Sequence, residues 1–363
     1  MAGLGIAWRL AERGHRVAVL ERDRVGRGAS WAAAGMLAPA AEIGFDELDL
    51  YALGRESLAR WPAFALDLEG AAGRSVGLDT TGTLVVADDR DSARALRRLY
   101  QFQEAHGVPV SWLTGDEAAE VEPLLSPRVP GAVLSPTDHQ VDNRAVVEAL
   151  AEACRRAGVE IREETRVEAV VPGPGVRLAG GEILGARAVV VAAGAWSGGV
   201  AGLDPVLPVR PVKGQALALR MTDAVRIRHV VRGPRAYLVP KADGRLVVGA
   251  TSEERGDDTA VTAGGLYRLL DGAVRLVPGV EELDVIETWA GLLPAARDHA
   301  PLLGRTGPDG VVAATGLYRH GFLLLPVVAD LISREVEAVL AGSPETAPAL
   351  APFVPSRFSP SPP

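Results

Sequence analysis

Cysteine is almost absent: Cys154 is the only one in 363 residues. One thiol excludes an intrachain disulfide and a cysteine-based metal cluster, and it suits a reducing cytoplasm. Lysine occurs only at Lys213 and Lys241, so arginine carries nearly all positive charge; asparagine occurs once, at Asn143. Positive charge is not in excess either, since 38 Lys+Arg face 46 Asp+Glu for a net charge of −8. That leaves no broad basic footprint for a nucleic acid. A membrane span needs about 20 consecutive apolar residues, and the run from Phe322 to Leu325 meets Pro326 and then Asp330. The first residues lack the charged, apolar and cleavage-site pattern of a secretory signal. The histidines are scattered without metal-ligand spacing. The expectation is a cytoplasmic protein with no integral membrane segment and no nucleic-acid partner, and with homo-oligomerisation left open.

What is present is globular: 48% hydrophobic and 23% charged residues, in a chain long enough for two domains. Leu4 to Arg13 has helical periodicity and stops at Gly14. Val17 to Leu20 is a short apolar run of the kind found in a buried parallel strand, and Ala188 to Ala192 and Val311 to Ala314 read the same way. Further helices are expected at 47–68, 92–106, 142–157 (capped by Asp142), 265–276 and 321–340. Strands are expected at 83–87, 159–163, 167–171, 176–179, 209–219, 236–239 and 245–250. The fold class is α/β: a Rossmann-like dinucleotide-binding domain with an inserted antiparallel α+β domain. The first comprises 1–45, 139–205 and 287–341, the second 46–138 and 206–286. Residues 342–363, rich in Pro, Ala and Ser, read as a loose tail.

The N-terminal segment has the form of a Rossmann βαβ unit without its beginning. A full unit runs strand, G-x-G-x-x-G, helix, strand, acid. Here Gly3 stands where the third glycine belongs and Glu21 follows the second strand, while the first strand and two glycines would fall before Met1. A start codon placed too far downstream would account for this, and a chain made this way should hold its nucleotide weakly.

Five segments occur in a characteristic order: Glu21 to Leu37, Val189 to Ser197, Pro211 to Gln215, Trp289 to Pro294 and Gly316 to Pro326. Together the chain up to about Ala341 resembles the FAD-dependent D-amino acid oxidase / glycine oxidase family, on the glycine oxidase side that serves thiamine biosynthesis. The resemblance implies FAD as cofactor, with contacts at Gly3, Glu21, Arg22, Ala29, Ser30, Ala34, Gly35, Met36, Val167 and Gly194. It also implies contacts at Leu317, Tyr318, His320, Gly321, Phe322 and Leu323, around the flavin's pyrimidine end. The implied reaction is oxidative deamination of glycine or a similar small amino acid by hydride transfer, giving an imine, with dioxygen returning hydrogen peroxide.

In that family a tyrosine and arginines hold the substrate carboxylate. The tyrosine falls on Tyr237 and one arginine on Arg319, with Met36 as a pocket wall. The other arginine belongs to a G-L-R-P sequence, which here is Gly291-Leu292-Leu293-Pro294, so Leu293 replaces it. A bidentate arginine is a strong carboxylate partner, so compensation is expected, in this order, from Arg319 alone, from Arg235 turning inward, or from Arg297; the fourth alternative is a substrate that is not a free small amino acid. Two other readings remain open: a related dehydrogenase or sarcosine/D-amino acid oxidase, and a flavin-poor non-catalytic protein.

Overall fold

The computed structural model describes residues 1–344 and 346–358. Four helices build the larger core. Helix Ala2–Glu12 buries Leu4, Ile6, Ala7, Trp8 and Leu10. It packs against helix Gly321–Leu340, whose first half is buried nearly all round, and against helix Asn143–Arg156. Asp142 caps the latter by accepting from the amides of Arg144 and Ala145, each at 3.0 Å. Helix Leu48–Ala72 covers the other side and sets Trp61 wholly inside, with its indole N–H donating to the carbonyl of Phe322.

The Rossmann-like sheet beside these helices is in two pieces. Strand Ala18–Leu20 pairs in parallel with Glu160–Arg162. Strand Val189–Val191 pairs in parallel with Val311–Thr315, which also pairs with Leu302–Arg305. The edges of Ala18–Leu20 and Val189–Val191 carry no further strand, and both line one large cavity floored by Leu4, Ile6, Ala7 and Leu10. Ala18 is exposed there, although it lies in an apolar strand. The place of a central parallel strand is therefore an open slot.

The second half is an eight-stranded sheet built from both inserted segments. Its order is Asp284–Ala295, Arg210–Arg220, Arg245–Gly249, Tyr237–Pro240, Val230–Arg232, Thr83–Val86, Gly131–Ser135 and Ser111–Thr114. Every pairing is antiparallel except Val230–Arg232 with Thr83–Val86, where the two segments join. Leu217, Leu219, Leu238, Leu246 and Val248 point to one face and are covered by helix Ala263–Leu276. The other face, with Tyr237, Val239 and Val247, turns toward residues Ala34 and Met36.

Three expectations are corrected. Residues 287–295, assigned to the dinucleotide-binding segments, continue the edge strand of the eight-stranded sheet. The loop expected between Gly26 and Gly35 contains a short helix, Ala29–Ala32. Within the supposed tail, Leu350 and Phe353 are buried in the main core, and Arg357 pairs with Asp298 at 2.8 Å; that segment is docked. Residues 345 and 359–363 of the tail lie outside the described residues.

The slot generates a stability prediction. A variant extended upstream of Met1 by a five-residue apolar strand and a glycine-rich turn is expected to melt roughly 5 °C or more higher, since 1 kcal/mol moves a domain of this size by about 2–4 °C. Calorimetry of the two forms checks this, and equal melting temperatures would show that the slot does not accept a strand.

Candidate active site

The cavity, which takes in the slot, has a volume of ≈ 1880 Å³, larger than the roughly 300–1,000 Å³ of ordinary small-ligand pockets. Gly3, Glu21, Arg22, Ala29, Ser30, Val167, Gly194, Leu317, Tyr318, Arg319, Gly321 and Phe322 all line it. Two helix starts open into it, Ala2–Glu12 and Gly321–Leu340. Neither has a side-chain cap or an acid in its first turn, so both present unpaired amides and a positive dipole end. At one end Glu21 borders the cavity, and Arg22 lies over the Trp196 ring at 3.8 Å. Small residues along 28–34 keep the wall close to the backbone. This donor set fits a dinucleotide such as FAD: helix amides toward its phosphates and ring carbonyls, and a carboxylate toward ribose hydroxyls.

The wall along residues 29–42 is clamped by loop 138–143. The Asn143 amide donates to the carbonyls of Ser30 and Trp31, each at 3.0 Å. Gly35 has φ +78°, and a Cβ there would strike the carbonyl of Val141. Met36 and Leu37 pair with Gln140 and His139 as a short antiparallel ladder. The Asp138 carboxylate accepts from the amides of Ala40 and Ala41 at 3.1 and 2.7 Å, and burial pushes its pKa up to about 7.

Cross-strand register organises the face opposite this wall. Trp289 pairs with Ala216, Ala216 with Gly249, Gly249 with Tyr237, and Tyr237 with Arg232. Paired residues share a face, so these five side-chain positions form one row. The Tyr237 ring lies across Gly249, where a Cβ would collide with the phenol oxygen. The Trp289 indole donates to the carbonyl of Ala32 at 2.9 Å, and Gly291 lets the strand press against Ala32. Met36, Tyr237 and Trp289 pack together around Ala34, Val239 and Val247.

The loop 316–320 brings charge to this row. It is tied to the end of the edge strand by the Tyr318 amide, which donates to the carbonyl of Pro294 at 3.0 Å. Tyr318 adopts φ +44°, a costly conformation for a residue with a Cβ. Its ring is stacked on His299 at 4.7 Å and carries the Arg319 guanidinium at 4.9 Å. Arg319 is exposed and forms no ion pair among the described residues. His320 is buried, its Nδ1 lacks a hydrogen-bond partner and stands 3.8 Å from Glu42, and burial lowers its pKa. Glu42 is ion-paired with Arg232. Burial, and then Glu42, raise the Tyr237 pKa, while Arg232 and Arg319 oppose the rise.

The other expected site residues lie elsewhere. Ala34, Gly35 and Met36 stand behind the cavity wall; Leu323 packs toward Gly54, and His320 toward Glu42. Arg235 does not turn inward: Asp88 at 3.5 Å and Asp271 at 3.4 Å hold it outside the site. Arg297 is exposed. Sequence reasoning missed Arg232, Glu42 and Gly249. One signal was available for Arg232, because the tight turn at Gly233 to Ala236 folds position 232 back opposite Tyr237.

The fold and the cavity define a flavin-dependent oxidoreductase, and a family model described as FAD dependent oxidoreductase matches residues 1–335; the chain belongs to that family. It is similar to glycine oxidase of Geobacillus kaustophilus, 38% identical over 97% of this chain and 93% of the relative. A crystal structure of glycine oxidase from the same organism superposes with a TM-score of 0.90 at 37% identity, covering 99% of this chain and 96% of that one. The bifunctional protein ThiO/ThiG of Trichormus variabilis is 36% identical over 91% of this chain, which spans half of that longer protein.

Two predictions follow from this geometry. Gly249→Ala pushes the Tyr237 ring off its seat and is expected to raise the KM for substrate about tenfold or more with flavin content retained; steady-state kinetics checks this. Asp138, with its raised folded pKa, contributes stability that is full below the unfolded value near 4 and is lost as pH rises toward 7. The unfolding free energy of Asp138→Asn is therefore expected to gain on the parent across pH 4–7, read by denaturant titration at each pH.

Proposed function

We propose that the protein oxidises glycine or a similarly small amino acid, with Tyr237 and Arg319 receiving the carboxylate and Met36 and Trp289 bounding the pocket. The observation that carries this reading is the row from Trp289 to Arg232, which sets Tyr237 next to one guanidinium, with Arg319 on the adjoining loop, beside a cavity whose lining fits FAD. Bound between the helix starts and Glu21, FAD would supply the two-electron oxidation of the substrate's Cα–N bond to an imine, with dioxygen as the final acceptor and hydrogen peroxide as the second product.

The chain's own residues position the substrate. Because burial keeps the Tyr237 phenol protonated, it can donate a hydrogen bond to a carboxylate. His320, pushed toward its neutral form by burial, adds no charge to the site. The Tyr237 ring over Gly249 and Ala32 over Gly291 already occupy the space next to the sheet, which favours a substrate with a short side chain. Such positioning is the protein's main contribution to hydride transfer. The remaining cofactor contacts are assigned to Gly3, Glu21, Arg22, Ala29, Ser30, Val167, Gly194, Leu317, Tyr318, Gly321 and Phe322, on the ground that all line the cavity. A role in thiamine biosynthesis accords with the likeness to the bifunctional ThiO/ThiG protein. No described helix is long and apolar enough to cross a membrane, and a lone buried thiol suits the cytoplasm.

The test is peroxide release by FAD-loaded protein with glycine, sarcosine and D-alanine in parallel. Glycine is expected to turn over best. A yellow protein that neither makes peroxide nor reduces a dye with any of them would overturn the reading, and reduction of a dye without peroxide would reassign the electron acceptor. Arg319→Ala is expected to weaken carboxylate binding by roughly 2–5 kcal/mol, seen as a raised KM.

A further inference from the structure

Leucine at 293 leaves the substrate site one guanidinium short of what the family pattern implies, and the fold supplies another from a different strand. Leu293 is partly buried on the same face as Gly214, Gly291 and Trp289, with its methyl packed toward Gly214. Arg232 stands on this face too, directly opposite Tyr237. Its guanidinium is ion-paired to Glu42, a carboxylate that is itself 7% exposed at the side chain. Arg232 and Arg319 both act electrostatically on the Tyr237 phenol and on the His320 ring, so both cations belong to the surroundings of Tyr237, one on the neighbouring strand and one on the loop 316–320. Among the described residues Glu42 is the acid that faces both His320 and Arg232.

We propose that Arg232 is the second carboxylate-binding residue of the site, held by Glu42 when substrate is absent and engaging the substrate carboxylate together with Tyr237 and Arg319. The inference rests on the reading of the site as that of an amino acid oxidase and names the residue that sets its specificity for an anion. With His320 neutral, two guanidiniums and one carboxylate leave a single positive charge, which one substrate carboxylate balances. A monocarboxylate is thus the fitting class. Glu42 acts as a competitor for Arg232: it prepays the desolvation of the guanidinium and keeps it aimed at the site, at the cost of weaker anion binding.

The test is calorimetric titration of the FAD-loaded protein with acetate, which reads anion binding without turnover. Arg232→Met is expected to raise the acetate Kd at least 30-fold, and Arg232→Lys to recover part of that loss. Leu293→Arg placed in the Arg232→Met background is expected to return binding to within about threefold of the parent. Glu42→Gln is expected to shift the other way and tighten acetate binding threefold or more, which a merely structural ion pair would not do. This last variant decides the matter if Arg232→Met fails to fold. Unchanged affinity in Arg232→Met, or weakened affinity in Glu42→Gln, overturns the proposal. If no amino acid yields peroxide yet acetate binds with this pattern, the proposed reaction falls while the binding role of Arg232 stands.

Discussion

Lys241 lies wholly inside the protein and directs its ammonium at the carbonyls of Ala34 at 2.6 Å and Val141 at 2.7 Å, and at Gln140 Oε1 at 3.0 Å. Burial drives its pKa down to about 7, and no carboxylate touches it to compensate. Such a group is expensive to bury, but it sits at the one place where three parts of the chain must agree. Lys241 belongs to the eight-stranded sheet's segment, Ala34 to the wall of the cavity, and Val141 to the loop that clamps that wall. Gln140 extends the joint by donating to the carbonyl of Pro240 at 2.7 Å. Together with the Trp289 indole on the Ala32 carbonyl, this contact holds the sheet that carries Tyr237 against the wall of the cavity.

Around that joint the charges are arranged unevenly. Acids cluster behind the site, where Glu42 meets Arg232 and Asp138 receives the amides of Ala40 and Ala41. Arg319 stands in front, supported by ring stacking and not by an acid. The front cation is therefore available to a ligand, while the rear one is already engaged. The strained backbone of Tyr318 accompanies this arrangement, in which Arg319 is exposed and His320 beside it is buried.

Much of the cofactor half was legible in the sequence. Apolar runs such as Val189–Val191 and Val311–Thr315 have no polar alternation, as strands buried on both faces must, and Asp142 announces the helix after it. The inserted sheet was harder to read. Ser111–Thr114 and the first half of Asp284–Ala295 lie at its edges, where Val285 and Ile286 are exposed, so hydrophobic alternation fails. The sheet's order depends on pairings between segments more than a hundred residues apart, which no local pattern encodes. The same gap explains the misplaced Arg235: its partners come from distant places, Asp88 from just before one helix and Asp271 from within another. Arg232 was overlooked for the converse reason, since its importance lies in register and not in any motif.

The small residues of this sheet face are each covered by a neighbour: Gly249 by the Tyr237 ring, Gly291 by Ala32 and Gly214 by Leu293. A larger side chain at any of them displaces one of these neighbours, so this face has no slack left. On the proposed reading of the site, any broadening of diet toward bulkier metabolites must come through Met36, Trp289 and Leu293. The lineage has, in effect, one adjustable boundary and one that is already at its limit.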